Sequence, residues 1–464
     1  MKKSVLKPTP ENIFSTFVND SVGRNNDLLY FINILDSIDE SFSIALDSYW
    51  GTGKTFFVKQ VKMILDAYND NSYDHLDKTQ RNIVKEEWKK LSKNSTEVLQ
   101  SGFHIPIYYD AWTNDNDNDP IISLVFQMLK TTNAYIPQEN QLKELAELAS
   151  IIIEKALQIN PFEIIKAIKA DNPFSEISKT KSLKESIEEF IDDLIPEHGE
   201  RLLIIIDELD RCNPKFAVTL LERIKHYFDN DRVTFVFSLN LIELDNTIRC
   251  FYGNEFNASR YLDRFFDLTI ALPKPDMKRF YESIEYYSTL SVHDRILQEV
   301  IKKYNMPLRE CSKYLSICKA MNINLNKLNN DYYSPETNTR RIVFDFIVPV
   351  VLGTMIQNTY LYNRFIQEND CSLFGYYLDD ETIESNKYTI GALFTKDELS
   401  NNLLSELSIK NKDEIITRLK KLCEKLRSGE GSTMCYDCYI TNSDRRLFKQ
   451  SITLLSKSLA ESIE

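Results

Sequence analysis

The sequence has little glycine and proline, 11 and 14 residues respectively in a chain of 464. This scarcity argues against long flexible or low-complexity stretches, and 43% hydrophobic with 27% charged residues is a globular composition in which we expect many helices. An excess of positive charge is also missing. The net charge of −13 opposes nonspecific attraction to nucleic acid or anionic lipid, although a local basic patch is compatible with it. The length suggests about three domains, or one core with large helical additions.

Long apolar runs are absent as well. The chain begins Met1-Lys-Lys-Ser without the apolar segment of a secretory signal, so we expect a cytoplasmic protein. The two most apolar stretches, 151–168 and 343–356, are interrupted by charge and proline. Both fall short of a bilayer span of about 20 apolar residues, so they predict buried helices and no transmembrane segment.

The eight cysteines outline no disulfide framework, which fits a reducing compartment. Cys435 and Cys438 have the one metal-like spacing, and Cys423 is the other candidate nearby. A zinc site needs about four ligands. We therefore predict ordinary thiols.

Apolar, strand-like runs alternate with helical patterns up to residue 275. The candidate strands are 42–47, 103–110, 201–207, 233–239 and, at the sheet edge, 266–272. This alternation predicts an α/β fold with a parallel sheet. We expect helical insertions at about 69–101 and 130–198, and helices without strands in 276–325 and 326–464.

The segment Ser48-Tyr-Trp-Gly-Thr-Gly-Lys-Thr55 lies between the first predicted strand and a predicted helix. Such a loop directs backbone N–H groups at phosphate oxygens, a lysine at the β- and γ-phosphates, and a Ser/Thr hydroxyl at Mg²⁺. Ser48 departs from the pattern, which has glycine there. The loop predicts a site for ATP, or GTP, with Mg²⁺. Its nucleotide-binding residues are Tyr49, Trp50, Gly51, Thr52, Gly53, Lys54, Thr55 and Phe56, with Thr55 also a metal ligand.

Asp207 and Glu208 follow the apolar run 201–207. A carboxylate at the tip of a buried strand can hold the water shell of Mg²⁺, and an adjacent acid can activate the attacking water. We assign Asp207 to the metal and Glu208 to water activation. Asn240, which closes the next strand, is a candidate sensor of the γ-phosphate with Ser238 as the alternative, and a strand-end cap is an equal interpretation for each.

Arginine supplies permanent bidentate charge to a transferring phosphoryl group, in cis or from a neighbouring subunit. Four arginines are candidates for this role, and surface salt bridges are the competing interpretation for each. They are Arg211, Arg260, Arg264 and Arg309.

These residues resemble the KAP family of P-loop NTPases, a branch of the additional-strand class related to AAA+ and STAND proteins. The matching blocks are Asp20-x-x-Gly23-Arg24, Trp50–Thr55, Tyr109–Trp112, Asp207-Glu-Leu-Asp-Arg-Cys212 with Pro214, Tyr261-Leu-x-Arg264-Phe265 and Pro307-Leu-Arg309.

The resemblance implies a P-loop parallel sheet over residues 1–275, with the Asp207 strand beside the P-loop strand, followed by a helical lid at 276–325. It implies that Gly23, Arg24 and Arg309 contact the nucleotide and that Arg264 acts in catalysis. Three departures stand out: Ser48, Asn240 in place of a frequent aspartate, and the absence of the membrane segments that many members insert.

Three functions compete. The first is an ATP-driven conformational switch, which the resemblance connects with bacterial antiphage defence and with a homo-oligomer or a neighbouring effector protein as partner. The second is a nucleic-acid-associated AAA+-like ATPase, but the lysine-rich segments Lys78–Lys93 and Lys410–Arg427 are mixed with acids and predict solvated helix faces. The third is a nucleotide-dependent scaffold that recruits an effector.

Overall fold

The structure is a computed structural model that describes residues 7–69, 76–92, 104–117, 119–132, 173–284, 292–325, 335–394 and 411–453. The helix predicted at 151–168 lies outside these residues, as do parts of both predicted insertions. The chain forms two compact units. We call residues 6–285 the sheet unit, and residues 286–464, together with 1–5, the helical unit.

The sheet unit is built on five parallel strands, which confirms the predicted fold class. They are β1 (Phe42–Asp47), β2 (His104–Asp110), β3 (Arg201–Asp207), β4 (Val233–Leu239) and β5 (Leu268–Ala271), in the order β2-β3-β4-β1-β5. The expected edge strand, β5, is confirmed. We predicted that β3, the strand that ends at Asp207, would lie beside β1, the strand before the loop. That prediction is wrong, because β4 lies between them. Every residue of β4 is buried, as a strand covered on both faces requires.

Helices cover both faces of the sheet. Alternate residues of β3 belong to different cores: Leu203 and Ile205 to one, Ile204 and Ile206 to the other. On the first face lie α1 (Pro10–Val18), α2 (Asn25–Asp36), α3 (Lys54–Tyr68) and α4 (Lys78–Leu91). On the second lie α5 (Pro120–Thr131), α6 (Pro173–His198), α7 (Pro214–Tyr227), α8 (Leu241–Tyr252) and α9 (Ala258–Leu262), and α10 (Met277–Ser283) follows β5.

The helical unit packs helices around the apolar stretch 343–356, which is a buried helix as predicted. Its helices are α11 (Val292–Lys303), α12 (Leu308–Leu325), α13 (Pro335–Arg340), a π-helical segment (Arg341–Ile347), α14 (Val348–Gln357), α15 (Thr359–Glu368), α16 (Ser372–Tyr377), α17 (Asp380–Ser385), α18 (Lys387–Ile390), a 3₁₀ turn (Gly391–Leu393), α19 (Lys412–Arg427) and α20 (Asn442–Thr453). No helix in the described part of the chain has both the length and the apolar character needed to cross a bilayer.

The expectation of helices alone after residue 275 is wrong. A hairpin of two three-residue strands, β6 (Thr433–Cys435) and β7 (Cys438–Ile440), turns at Tyr436, whose φ is 54°. Strands this short leave no alternation to detect. Cys435 and Cys438 are directly opposite in the pairing and are buried cysteines that are not joined in a disulfide; burial raises the pKa of both, that of Cys438 to about 12.

Candidate nucleotide site

The loop 48–53 connects the carboxyl end of β1 to the first turn of α3. Gly51 and Gly53 have φ values of 79° and 98°, in the left-handed region that glycine enters without a steric penalty. Ser48 is not among the residues with positive φ, and its N–H donates to the Leu239 carbonyl at 3.2 Å. A side chain at position 48 therefore causes no backbone strain, which explains why this loop forms without the usual glycine.

Lys54 is folded into the loop. Its ammonium group donates to the Ser48 carbonyl and, at 3.0 Å, to the Tyr49 carbonyl. Burial lowers the pKa of Lys54, while the charges of Asp210, Asp207 and Asp47 raise it. The lysine therefore provides a positive charge close to three carboxylates and is held by two backbone oxygens of the loop.

The other residues predicted to bind nucleotide are distributed around the same loop. Thr55 is the second residue of α3 and is half-buried, and Phe56 packs against the core of the first sheet face. The Thr52 hydroxyl donates to the Tyr49 carbonyl at 2.8 Å, whereas the Tyr49 side chain is exposed.

Arg24 contacts the loop, and Gly23 lies against the segment after β5. The buried Arg24 guanidinium donates to the Thr52 carbonyl at 2.8 Å and to the Pro273 carbonyl at 2.5 Å, and burial lowers its pKa to about 10. Gly23 has a φ of 68°, and a Cβ there would lie 2.7 Å from the Asp276 Cβ. The Arg24 side chain therefore connects the loop to the segment after β5, because it donates to a backbone carbonyl of each.

Asp207 ends β3 at the same edge of the sheet and is fully buried. One carboxylate oxygen accepts the Glu208 N–H at 3.1 Å and the other accepts the Tyr108 O–H at 2.9 Å. Glu208 has a φ of 61°, a strained conformation for a residue with a side chain. This turn directs two adjacent carboxylates to the end of the sheet where the loop lies.

The Glu208 carboxylate pairs with Arg211, whose guanidinium nitrogen is 3.0 Å away. Burial raises the pKa of Glu208, and the Arg211 charge opposes that shift. The Arg211 guanidinium lies 5.8 Å from the Trp50 ring centre and 5.4 Å from that of Trp112. We call residues 207–210 the acidic turn. Of the four candidate arginines, Arg211 is the one that contacts this turn.

A family model, the KAP family P-loop domain, matches residues 25–332. The chain belongs to this family. The match confirms the resemblance and the P-loop NTPase fold, which is one that binds nucleotide and Mg²⁺. A comparison with curated proteins found no match.

Trp50 of the KAP loop reaches the acidic turn directly. Its indole N–H donates to the Asp210 carboxylate at 2.6 Å. Asp210 is buried; burial raises its pKa, and the Trp50 hydrogen bond and the Lys54 charge oppose the rise. Sequence reasoning missed this contact, as it missed Tyr108, because both pairs join residues about 100 or more positions apart. The occurrence in one sequence of a tryptophan in the loop and of the run D-E-L-D was the available signal for the Trp50–Asp210 contact.

Asn240 caps α8 in the KAP domain, because its side-chain oxygen accepts the Ile242 N–H at 3.2 Å. The next amide, that of Leu241, donates to Asp47 at 2.8 Å. Ser238 pairs in register with Asp207, and its buried hydroxyl has no hydrogen-bond partner among the described residues. Asn240 therefore acts as a helix cap, as one of its two interpretations predicted. The Ser238 hydroxyl is available beside Asp207.

The remaining candidate arginines take part in none of the hydrogen bonds and ion pairs described above. Arg260, in α9, and Arg264, just after it, are exposed side chains of the sheet unit. Arg309 is exposed at the second position of α12, in the helical unit.

The residues fit a magnesium nucleotide. The glycines of the loop have positive φ, and the buried Asp207 carboxylate and the Thr55 hydroxyl are oxygen ligands of the kind Mg²⁺ prefers. The orphaned Ser238 hydroxyl adds a buried polar atom at this edge. Among the described residues there is no group of three or more Cys, His, Asp and Glu side chains that could hold a metal ion by themselves.

Proposed function

We propose that the KAP domain binds ATP with Mg²⁺, hydrolyses it, and uses the cycle as a conformational switch. The observation that supports this is the meeting, at one sheet edge, of the Lys54 loop, the buried Asp207 and the Glu208 carboxylate. In this proposal Thr55 and Asp207 hold the metal and Lys54 binds the β- and γ-phosphates. When bound, Mg²⁺ neutralises charge that develops on the phosphates.

Glu208 orients and deprotonates the attacking water. The raised pKa of Glu208 favours proton transfer from water, because a stronger base accepts a proton more readily. Ser238 lies on β4, the strand between β1 and β3, and Asn240 directly follows that strand, so either polar group is a candidate to contact the γ-phosphate. Arg24 holds the Thr52 carbonyl of the loop. From the family relationship we also propose that Gly23, Arg24 and Arg309 contribute to nucleotide binding and that Arg264 acts in catalysis.

The ion pair between Glu208 and Arg211 supports a second candidate, a nucleotide-dependent scaffold that recruits an effector. A Glu208 that stays paired at 3.0 Å does not accept a proton from water, so the domain would bind nucleotide without rapid turnover. The two functions differ in phosphate release, and tight binding with no release identifies the scaffold.

The test measures Mg²⁺-dependent ATP binding and phosphate release for wild type, Lys54→Ala and Glu208→Gln. We expect Lys54→Ala to lose binding, and Glu208→Gln to bind ATP while turnover falls about 100-fold, the size of a lost general base. Lys89→Ala and Glu86→Gln, exposed residues of α4, are the matched controls. Equal phosphate release by all five proteins would refute the assignment, and GTP in parallel reactions settles the choice of nucleotide.

The antiphage role and the partner, a second copy or a neighbouring effector protein, rest on the family relationship. Phage plating on cells that carry the wild-type protein or the Lys54→Ala variant tests the role. We expect protection by the wild type and none by the variant; equal plating on both would remove the defence proposal and leave the ATPase proposal standing.

A further inference from the structure

Tyr108 lies two residues before the end of β2, opposite Ile205 of β3. Its side chain is on the face of the sheet that α3 covers, and it packs with the core of that face. The phenol O–H donates to Asp207 at 2.9 Å, and Lys59 of α3 places its ammonium group 4.5 Å from the ring centre. Tyr108 thus connects the helix of the phosphate-binding loop to the tip of β3.

The Asp207 carboxylate is restrained at both oxygens. The Glu208 bond comes from the backbone and remains in any side-chain variant, whereas the bond from Tyr108 is the side-chain restraint on the second oxygen. Each oxygen has another lone pair, so both bonds can persist while the carboxylate faces a metal water shell.

Lys59 extends the connection to the other proposed metal ligand. It follows Thr55 by four residues in α3, so the two side chains share one face of the helix. Tyr108 contacts Lys59 through its ring and Asp207 through its hydroxyl.

We propose that Tyr108 is a positioning residue for Mg²⁺: its hydroxyl orients Asp207 toward the metal that Thr55 also binds. The inference rests on the proposed function of this site. Hydrogen-bond partners of metal-ligating carboxylates commonly change metal affinity by about 10- to 100-fold when removed.

The experiment uses Tyr108→Phe in the full chain, because phenylalanine keeps the ring beneath Lys59 and removes only the hydroxyl. ADP binding is measured with excess chelator and then across a Mg²⁺ titration. Tryptophan fluorescence is a suitable signal, since Trp50 and Trp112 are near the site and Trp88, the third tryptophan, is buried elsewhere. We expect the half-saturating Mg²⁺ concentration to rise about tenfold, with metal-free ADP affinity unchanged.

Tyr109→Phe is the matched control, because it removes a hydroxyl from the next residue of the same strand on the opposite face. Its Mg²⁺ requirement should equal that of wild type. An unchanged requirement in Tyr108→Phe overturns the proposal. A Tyr108→Phe protein that melts much lower with wild-type Mg²⁺ dependence, or that fails to fold, assigns the hydroxyl to stability and overturns it too. If the wild type itself binds nucleotide without regard to Mg²⁺, the proposed function fails instead.

Discussion

The carboxyl edge of the sheet and the interior of the helical unit both contain buried polar groups, but the two sets have different partners. At the sheet edge, Asp207 is held by a neighbouring amide and a phenol, and the Ser238 hydroxyl has no partner among the described residues. In the helical unit, Glu299 of α11 accepts hydrogen bonds from Tyr377 at 3.2 Å and from Asn386 at 2.7 Å. The first set belongs to strand ends, and the second joins helices that are far apart in sequence.

This difference separates the energetic roles of the two sets. The sheet is held together by apolar residues of β3 and β4 below the edge, so the polar groups at the tips can be arranged for a ligand at small cost to stability. The Glu299 network lies between packed helices and supplies the acceptor for the buried Tyr377 hydroxyl, which would otherwise lack one. Changes at the edge should therefore alter nucleotide binding, and changes in the network should alter stability.

Glu299→Ala gives the largest expected effect. The substitution leaves the fully buried Tyr377 hydroxyl without its acceptor, at a cost of about 2 kcal/mol, whereas the Asn386 amide keeps its hydrogen bond to the Thr382 carbonyl at 2.9 Å. A loss of this size lowers the midpoint of thermal unfolding by roughly 4–8 °C. Calorimetry measures the midpoint, and ATP affinity at 25 °C should match wild type.

Glu381→Ala is the control for that change, because the Glu381 pair with Lys302 is exposed on both sides and should contribute less than about 1 kcal/mol. Weaker ATP binding by Glu299→Ala with an unchanged midpoint would break the proposed separation between the two regions.

Trp50→Phe tests the sheet edge. It removes the donor to the buried Asp210 and frees the loop from the acidic turn, so we expect ATP affinity to fall about tenfold, equivalent to about 1.4 kcal/mol. The thermal midpoint should change by only a few degrees. Binding of a fluorescent ATP analogue measures the affinity.

Trp112→Phe is the control, since Trp112 contacts Arg211 through its ring and phenylalanine keeps an aromatic face there. Its affinity should stay within about twofold of wild type, because a cation–π contact at an exposed site contributes about 0.5–1 kcal/mol and is retained in part. Equal losses in both variants would show that bulk at the site matters and that the Asp210 hydrogen bond does not.

Local pattern was enough to predict much of the sheet unit. The apolar runs before Asp47 and Asp207 are strands, and the glycines, Lys54 and the adjacent acids meet at one edge because parallel strands end together. Strand order was not encoded in that alternation. The pattern of Val233–Leu239 predicts another buried strand but not its neighbours. Its position between β1 and β3 is known only from its pairing with both in the structure.

Contacts between residues far apart in the chain could not be predicted from local sequence patterns. Trp50 and Asp210 are 160 residues apart, and Tyr108 and Asp207 are 99 apart, so no periodicity relates them. The β6–β7 hairpin was missed for the opposite reason, since three residues per strand are too few to produce a pattern.

Asp379→Asn gives the smallest expected effect and extends the comparison to pH. Asp379 caps α17 and accepts hydrogen bonds from Lys303 and from Thr382, whose N–H is 2.9 Å away. Partial burial would raise the pKa of Asp379, but these bonds outweigh it and lower the pKa from 3.8 to about 2. The carboxylate is therefore favoured in the folded protein.

The stability from this carboxylate is present above a pH near 3.8 and is lost as the pH falls toward 2. At neutral pH it amounts to less than about 1 kcal/mol, because the Asp379 side chain is 42% exposed. Asparagine retains the helix cap, so Asp379→Asn should melt slightly below wild type at pH 6, and the difference should shrink at about pH 3 and below. Thermal melts across this range measure it, with Glu381→Gln as a control. A difference that stays constant with pH would show that the charge of Asp379 contributes nothing to the helical unit.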